Sequence, residues 1–249
     1  MSSILNPSQQ QAVEYDGGHL LIVAGPGTGK THTLTHRIAS QISRLNDNQK
    51  ILAVTFTHHA AGEMKERLEK LAVPPKHIVI GTFHAFCLDI LRVHSQALKD
   101  FRIASEDDIE AILKSCWPEL KVKDRKETLR LIGRKKSLRE TSPEVETYQH
   151  ALRAKNMLDY DDLLLETVRL LEEHSDIREK LQQTYPLIFV DEYQDINPIQ
   201  HQLLLKLVGE KSVITAIGDP DQSIYGFRGS DVSFFHRFRE DFSGAKVLT

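Results

Sequence analysis

Short apolar runs alternate with longer amphipathic stretches along the first third of the chain. Residues 20–24, 51–56 and 78–83 are apolar and rich in β-branched side chains, which predicts buried strands. Between them, apolar positions recur at helical spacing over residues 30–42 and 60–71. Strands separated by helices imply crossover connections, hence a mostly parallel sheet covered by helices on both faces. From about residue 93 to 178 the strand signal disappears. Helical periodicity then predicts Glu106–Cys116, 124–138, 143–154 and Tyr160–Glu173, with Pro143 suited to a first turn. The strand pattern resumes at Leu187–Val190, followed by a helix over 198–208, a strand over 213–217, a helix over 232–238 and an extended run from Ala245. The expected organisation is an α/β domain formed by residues 1–92 and 179–249, with an inserted all-helical subdomain over 93–178. No internal repeat or low-complexity segment interrupts it.

Composition narrows the class. With 249 residues, 40% of them hydrophobic and 27% charged, the chain can bury a sizeable core and is far from disordered composition. Its longest apolar runs, 19–24 and 186–190, fall short of the roughly 20 residues that cross a bilayer, and Met1-Ser2-Ser3-Ile4 lacks a basic start and an apolar stretch. A chain that neither spans a membrane nor is secreted is expected. Cys87 and Cys116 are too few for a disulfide framework, which points to a reducing cytoplasm. The twelve His do not cluster with further ligands, so no zinc site is expected. Net charge is only −3, yet residues 121–139 carry nine basic and two acidic side chains. Such a stretch reads either as a solvated helix face or as a nucleic-acid contact, depending on where it sits.

Gly25-Pro26-Gly27-Thr28-Gly29-Lys30-Thr31 follows one expected strand and opens a helix, which is the context of a phosphate-binding (Walker A) loop. Gly27 and Gly29 allow close backbone approach, Lys30 brings charge to the β- and γ-phosphates, and the Thr31 hydroxyl can ligate Mg²⁺. Ala24 stands where the strict pattern has Gly. The strand 187–190 ends in Asp191 and Glu192, a Walker B-like pair in which Asp191 can hold Mg²⁺ and Glu192 can position or deprotonate a water. Together the two motifs point to nucleoside triphosphate hydrolysis with Mg²⁺. Thr55-Phe56-Thr57-His58 and Gly81-Thr82-Phe83-His84 pair aromatics with hydroxyl and imidazole groups at strand ends. Tyr225, Phe227 and Arg228 follow the strand 213–217, and bases stack on such groups. Ligands of open parallel sheets bind outside the carboxyl ends of the strands, so all of these fall on one edge.

In their order, Leu5 to Val13, the glycine loop, Thr55 to Ala61, Gly81 to Cys87, Leu158 to Leu163, Val190 to Asp195 and Gly218 to Asp231 resemble the motifs of superfamily 1 DNA helicases of the UvrD/Rep/PcrA type. The resemblance implies a RecA-like P-loop fold in which Gln9 reads adenine and Gln222 senses the γ-phosphate. Phe56, Thr57, His84, Tyr225, Phe227 and Arg228 would face single-stranded or junction DNA, and the helical insertion would touch DNA as well. Departures are His58-His59, where the family usually has Asn-Lys, and His32, where an adenine-holding Arg is common. His32 could still stack, without a fixed charge. The resemblance further places the end of the sequence just before a motif with a Tyr-Arg pair. The expectation is therefore a monomeric first motor half that binds ATP but does not unwind DNA without a second motor domain from the same parent. The alternative is a non-catalytic module that binds nucleotide or DNA.

Overall fold

The computed structural model describes residues 5–96, 98, 100–223 and 230–249. Six parallel strands form the central sheet: β1 (Leu20–Val23), β2 (Ile51–Thr55), β3 (Ile78–Thr82), β6 (Leu187–Val190), β7 (Val213–Gly218) and β8 (Lys246–Leu248), in the order β3-β2-β6-β7-β1-β8. Between β3 and β6 the chain adds β4 (Arg102–Ile103) and β5 (Met157–Leu158), a small parallel pair of its own. Near-continuous apolar strands are what a sheet buried on both faces requires. Alternation along each strand then divides the core. Leu21, Leu52, Val54, Ile188, Val190, Ile214 and Ala216 face one side, and Leu20, Ile22, Ile51, Ala53, Leu187 and Phe189 face the other.

The second face is covered by α1 (Pro7–Glu14), α2 (Lys30–Gln41) and α3 (His58–Lys70), which contribute Ala12, Leu34, Ile38, Met64 and Leu68. Against the first lie α4 (Phe83–His94), α8 (Tyr160–Glu173), α9 (Ser175–Thr184), α10 (Pro198–Leu207), α11 (Ser233–His236) and α12 (Phe238–Asp241). The remaining helices, α5 (Glu106–Cys116), α6 (Val122–Leu138) and α7 (Pro143–Arg153), enclose a third, smaller core around Ile112, Leu113, Ile132, Val145, Tyr148 and Leu152. Along α8, Leu163, Leu164, Val168 and Leu171 join the core under the sheet, so this helix ties the helical block to the sheet. No described helix is long and apolar enough to cross a membrane.

The structure adjusts several boundaries. The run 78–83 stops being strand at Thr82, whose hydroxyl accepts from the Ala85 N–H and starts α4, so Phe83 and His84 are helical. The single helix expected over 232–238 is two short ones, broken at Arg237. The periodicity did not predict α1, α4, α9 or the β4–β5 pair.

Candidate functional site

The carboxyl ends of β1, β7, β6 and β2 lie side by side, with Val23 beside Gly218 and Val54 beside Val190. Main-chain bonds carry this register one residue beyond the strands. Ala24 N–H donates to the Gly218 carbonyl (2.9 Å), and Asp191 N–H to that of Val54 (3.0 Å). The glycine loop, the acidic pair and the turn after β7 therefore meet at one edge, where the strand order switches direction.

Gly27 (φ 70°) and Gly29 (φ 82°) adopt the left-handed conformation that glycine tolerates best, and Thr28 closes the loop by donating to the Gly25 carbonyl at 2.8 Å. Among the described residues, α2, α3, α4 and α10 are the helices that next follow β1, β2, β3 and β6. Asn197, Thr82 and Thr57 cap α10, α4 and α3 with side-chain oxygens, whereas α2 begins at Gly29 with no side-chain cap. Its first N–H groups are thus left for an external acceptor, and an anion fits that requirement. Gly25, Pro26 and Thr28 complete the loop, with Lys30 and Thr31 in the first turn of α2.

Lys30 is nearly buried, yet among the described residues it makes only long contacts: 3.6 Å to Glu192 Oε2 and 3.4 Å to Gln222 Oε1. Glu192 itself sits at φ 51°, a left-handed conformation that costs a non-glycine residue on the order of 1 kcal/mol or more. That turn brings its carboxylate back toward Lys30. The Asp191 carboxyl is buried and accepts only the Glu192 N–H among described hydrogen bonds (3.1 Å). Burial first, and the Glu192 charge second, push its pKa up to about 6. The same two causes raise Asp195 to about 6, and its Oδ1 is buried without a hydrogen-bond partner among the described residues. Buried carboxyls of this kind beside a phosphate-type loop are a donor set that suits a divalent cation.

Gln9 lies against the loop. Its Oε1 accepts the Asn6 N–H (2.9 Å) in a capping box, and its Nε2 donates to the Thr28 carbonyl (2.9 Å). One amide hydrogen and one lone pair remain for a base edge. Arg37 fixes α1 there. It is buried and donates to the carbonyls of Ala12 (2.9 Å) and Tyr15 (2.7 Å) and to Thr215 Oγ1 (3.1 Å). On the outer side of α2, the His32 ring meets His36 edge-on at 4.4 Å.

Farther along the same edge, Phe56 is half-buried after β2 and Thr57 is exposed, accepting the Ala60 N–H as the cap of α3. His84, half-buried on α4, meets the exposed Tyr160 edge-on at 5.6 Å. Burial, then nearby His58, lowers the His84 pKa, which favours a neutral ring. Tyr225, Phe227 and Arg228 lie outside the described residues. Of the nine basic residues in 121–139, Arg125, Lys135, Lys136 and Arg139 pair with acidic partners, while Lys121, Lys123, Lys126, Arg130 and Arg134 are exposed.

Sequence reasoning missed Gln194 and Asp219. Gln194 Nε2 donates to Glu192 Oε2 (2.7 Å), and its Oε1 accepts the Asp219 N–H (3.0 Å). Asp219 in turn accepts from Gln222 Nε2. The available sequence signal was proximity to known motifs; which side chain turns inward is not visible in it.

Residues 5–243 match the UvrD/REP helicase N-terminal domain. Over 98% of its length the chain is 38% identical to a protein named probable DNA helicase II homolog from Rickettsia conorii, of which it covers 41%. It is 35% identical to ATP-dependent DNA helicase PcrA from Bacillus subtilis and 34% identical to the Staphylococcus aureus protein of the same name, covering 36% and 37% of them. The chain thus spans about two fifths of the length of these relatives. With a glycine loop, an acidic pair and a glutamine turn meeting at one edge of a parallel sheet, the chain belongs to the UvrD/REP helicase N-terminal domain family.

Proposed function

We propose that this chain is the ATP-binding, single-stranded-DNA-facing motor half of a 3′-to-5′ DNA helicase acting in repair or replication in the cytoplasm. In this reading residues 1–92 and 179–249 are the motor domain and 93–178 its helical insertion. The observation that carries it is the meeting of Lys30, Glu192 and Gln222 within 3.6 Å at an uncapped helix start. Lys30 leaves its long contacts for the β- and γ-phosphates, and the N–H groups of residues 27–31 surround the anion. Thr31 and Asp191 would hold Mg²⁺, which would supply positive charge to the transferring phosphate. Glu192 then orients and deprotonates the attacking water, and Gln222 contacts the γ-phosphate. Gln9 and His32 take the adenine.

DNA crosses the neighbouring strand ends over Phe56, Thr57 and His84, together with Tyr225, Phe227 and Arg228. Lys30 is the one cation paired with Glu192 among the described residues. Rapid phosphoryl transfer calls for a further cation, worth about 10³–10⁵ in rate where an arginine supplies it. We assign that role to a second motor domain of the same parent, so this chain binds nucleotide without unwinding DNA. Equilibrium titration with Mg²⁺-nucleotide tests the site: affinity should drop sharply in Lys30→Ala, and equal affinity would sink the loop assignment. Steady-state ATP hydrolysis with and without single-stranded DNA, against Glu192→Gln as the blank, tests the half-motor reading. DNA-stimulated turnover that vanishes in the blank would mean the chain completes its own site.

A further inference from the structure

Five residues at the site form a closed circuit, through side chains and the Asp219 N–H. Lys30 contacts Glu192 (3.6 Å), Glu192 accepts from Gln194 (2.7 Å), Gln194 accepts the Asp219 N–H (3.0 Å), Asp219 accepts from Gln222, and Gln222 accepts from Lys30 (3.4 Å). Four members carry charge or face the phosphate position. Gln194 does neither: it is 2% exposed and lies behind the others. We propose that Gln194 is a positioning residue that joins the Glu192 carboxylate and the Asp219–Gln222 turn into one unit, so that the site distinguishes a nucleoside triphosphate from a diphosphate.

Its amide can work in one orientation. Nε2 lies between two carboxylates, 2.7 Å from Glu192 Oε2 and 3.4 Å from Asp195 Oδ2, while Oε1 faces an N–H. A flipped amide would set its carbonyl against both carboxylates and its NH₂ against the Asp219 N–H. The end of β7 is shaped around this side chain. A Cβ on Gly218 would come within 2.2 Å of Gln194 Oε1, so glycine there lets the amide lie across the strand end. Glu192, in its left-handed backbone conformation, thus has a fixed side-chain partner as well.

Ligand length makes the connection matter. A diphosphate reaches the loop and α2. A γ-phosphate draws Lys30 out of the circuit and meets Gln222, with the attacking water between it and Glu192, and Gln194 holds Gln222 and Glu192 in register. This inference rests on the nucleotide reading above and adds a residue to it.

The test compares affinities for Mg²⁺-ADP and a non-hydrolysable Mg²⁺-ATP analogue in the unaltered chain, Gln194→Leu and Gln194→Glu, with melting temperature followed alongside. Gln194→Leu should lower the triphosphate-to-diphosphate affinity ratio about tenfold, the scale of one charge-assisted hydrogen bond, with ADP affinity within about twofold of the unaltered chain. Gln194→Glu keeps an acceptor for Asp219 but opposes Glu192 and Asp195, and should lower the ratio too. It also serves if the leucine variant does not fold. A ratio unchanged in a folded variant, or equal losses for both nucleotides, overturns the proposal and makes Gln194 a packing residue. If the unaltered chain binds neither nucleotide, the nucleotide reading fails first and takes this inference with it.

Discussion

Two lysines, each set among carboxylates, show opposite uses of the same chemistry. Lys136 on α6 is 2.7 Å from Asp159 and 2.8 Å from Asp162, with its ammonium 5.1 Å from the Tyr148 ring centroid. All three charged side chains are buried, and Gln149 donates to Asp162 as well (3.0 Å). Burial opposes the lysine's charge, but the two aspartates outweigh it and hold its pKa above the ordinary value. Lys30, also nearly buried, has no contact shorter than 3.4 Å among the described ones, and the Asp191 carboxyl near it is pushed up to about 6, chiefly by burial. In the first cluster the lysine's charge is met at close range by two aspartates, which fixes how α6 sits on the start of α8. The second is assembled yet unsatisfied, which is the state a charged ligand can exploit.

The sharpest way to break this comparison is Lys136→Met. It strands two buried aspartates and should destabilise the fold by about 3–5 kcal/mol, read by chemical denaturation. A loss below about 1 kcal/mol would mean that the cluster is solvated and that its contacts do not hold the helices together.

Lys30→Ala should do the reverse, leaving stability within about 1 kcal/mol while removing about 1.5–3 kcal/mol of nucleotide binding, a ten- to hundredfold rise in Kd by titration. If denaturation instead showed a loss as large as that of Lys136→Met, Lys30 would be a structural residue.

The next effect is set by pH. A raised Asp191 pKa means the folded state holds that proton better than the unfolded chain. Its contribution to stability is therefore present below about pH 4 and lost as pH rises through about 6. Mg²⁺ competes with the same proton, so the Mg²⁺-dependent part of nucleotide affinity should fall between pH 7 and pH 5. Asp191→Asn should flatten that dependence in titrations run with and without Mg²⁺. A profile unchanged by the substitution would remove Asp191 from the cation site.

The smallest effect belongs to Arg139 and Glu172, a bidentate pair at 2.7 and 2.8 Å, as short as the Lys136 contacts but about one third exposed. Arg139→Ala should cost no more than about 1 kcal/mol by denaturation, because water already competes for both partners. A cost near that of Lys136→Met would show that contact distance, not burial, sets the difference between the clusters.

Much of this was legible before any coordinates. The strand at Leu187–Val190 and the helices Glu106–Cys116 and Tyr160–Glu173 fall where periodicity placed them, because a strong apolar pattern has one buried solution. The strand ending at Phe83 ran one residue too far and α4 was not foreseen, because Phe83 extends the run of Ile78, Val79 and Ile80 and only the Thr82 cap separates strand from helix. The β4–β5 pair was invisible, since two-residue strands carry no period. At the site, the glycine loop and Asp191-Glu192 announced themselves, while Gln194 and Asp219 did not.

The sequence by itself determined what depends on neighbours along the chain: the left-handed glycines of the loop, the helix caps and the alternation that buries both faces of the sheet. Tertiary structure alone decided which distant groups meet. Lys30 and Gln222 are 192 positions apart, and Arg37 and Thr215 are 178 apart. Their contacts exist because parallel pairing places β1, β7 and β6 side by side and aligns their carboxyl ends. Buried charges then choose partners by distance and by the exclusion of water, and neither quantity is written in the order of the residues.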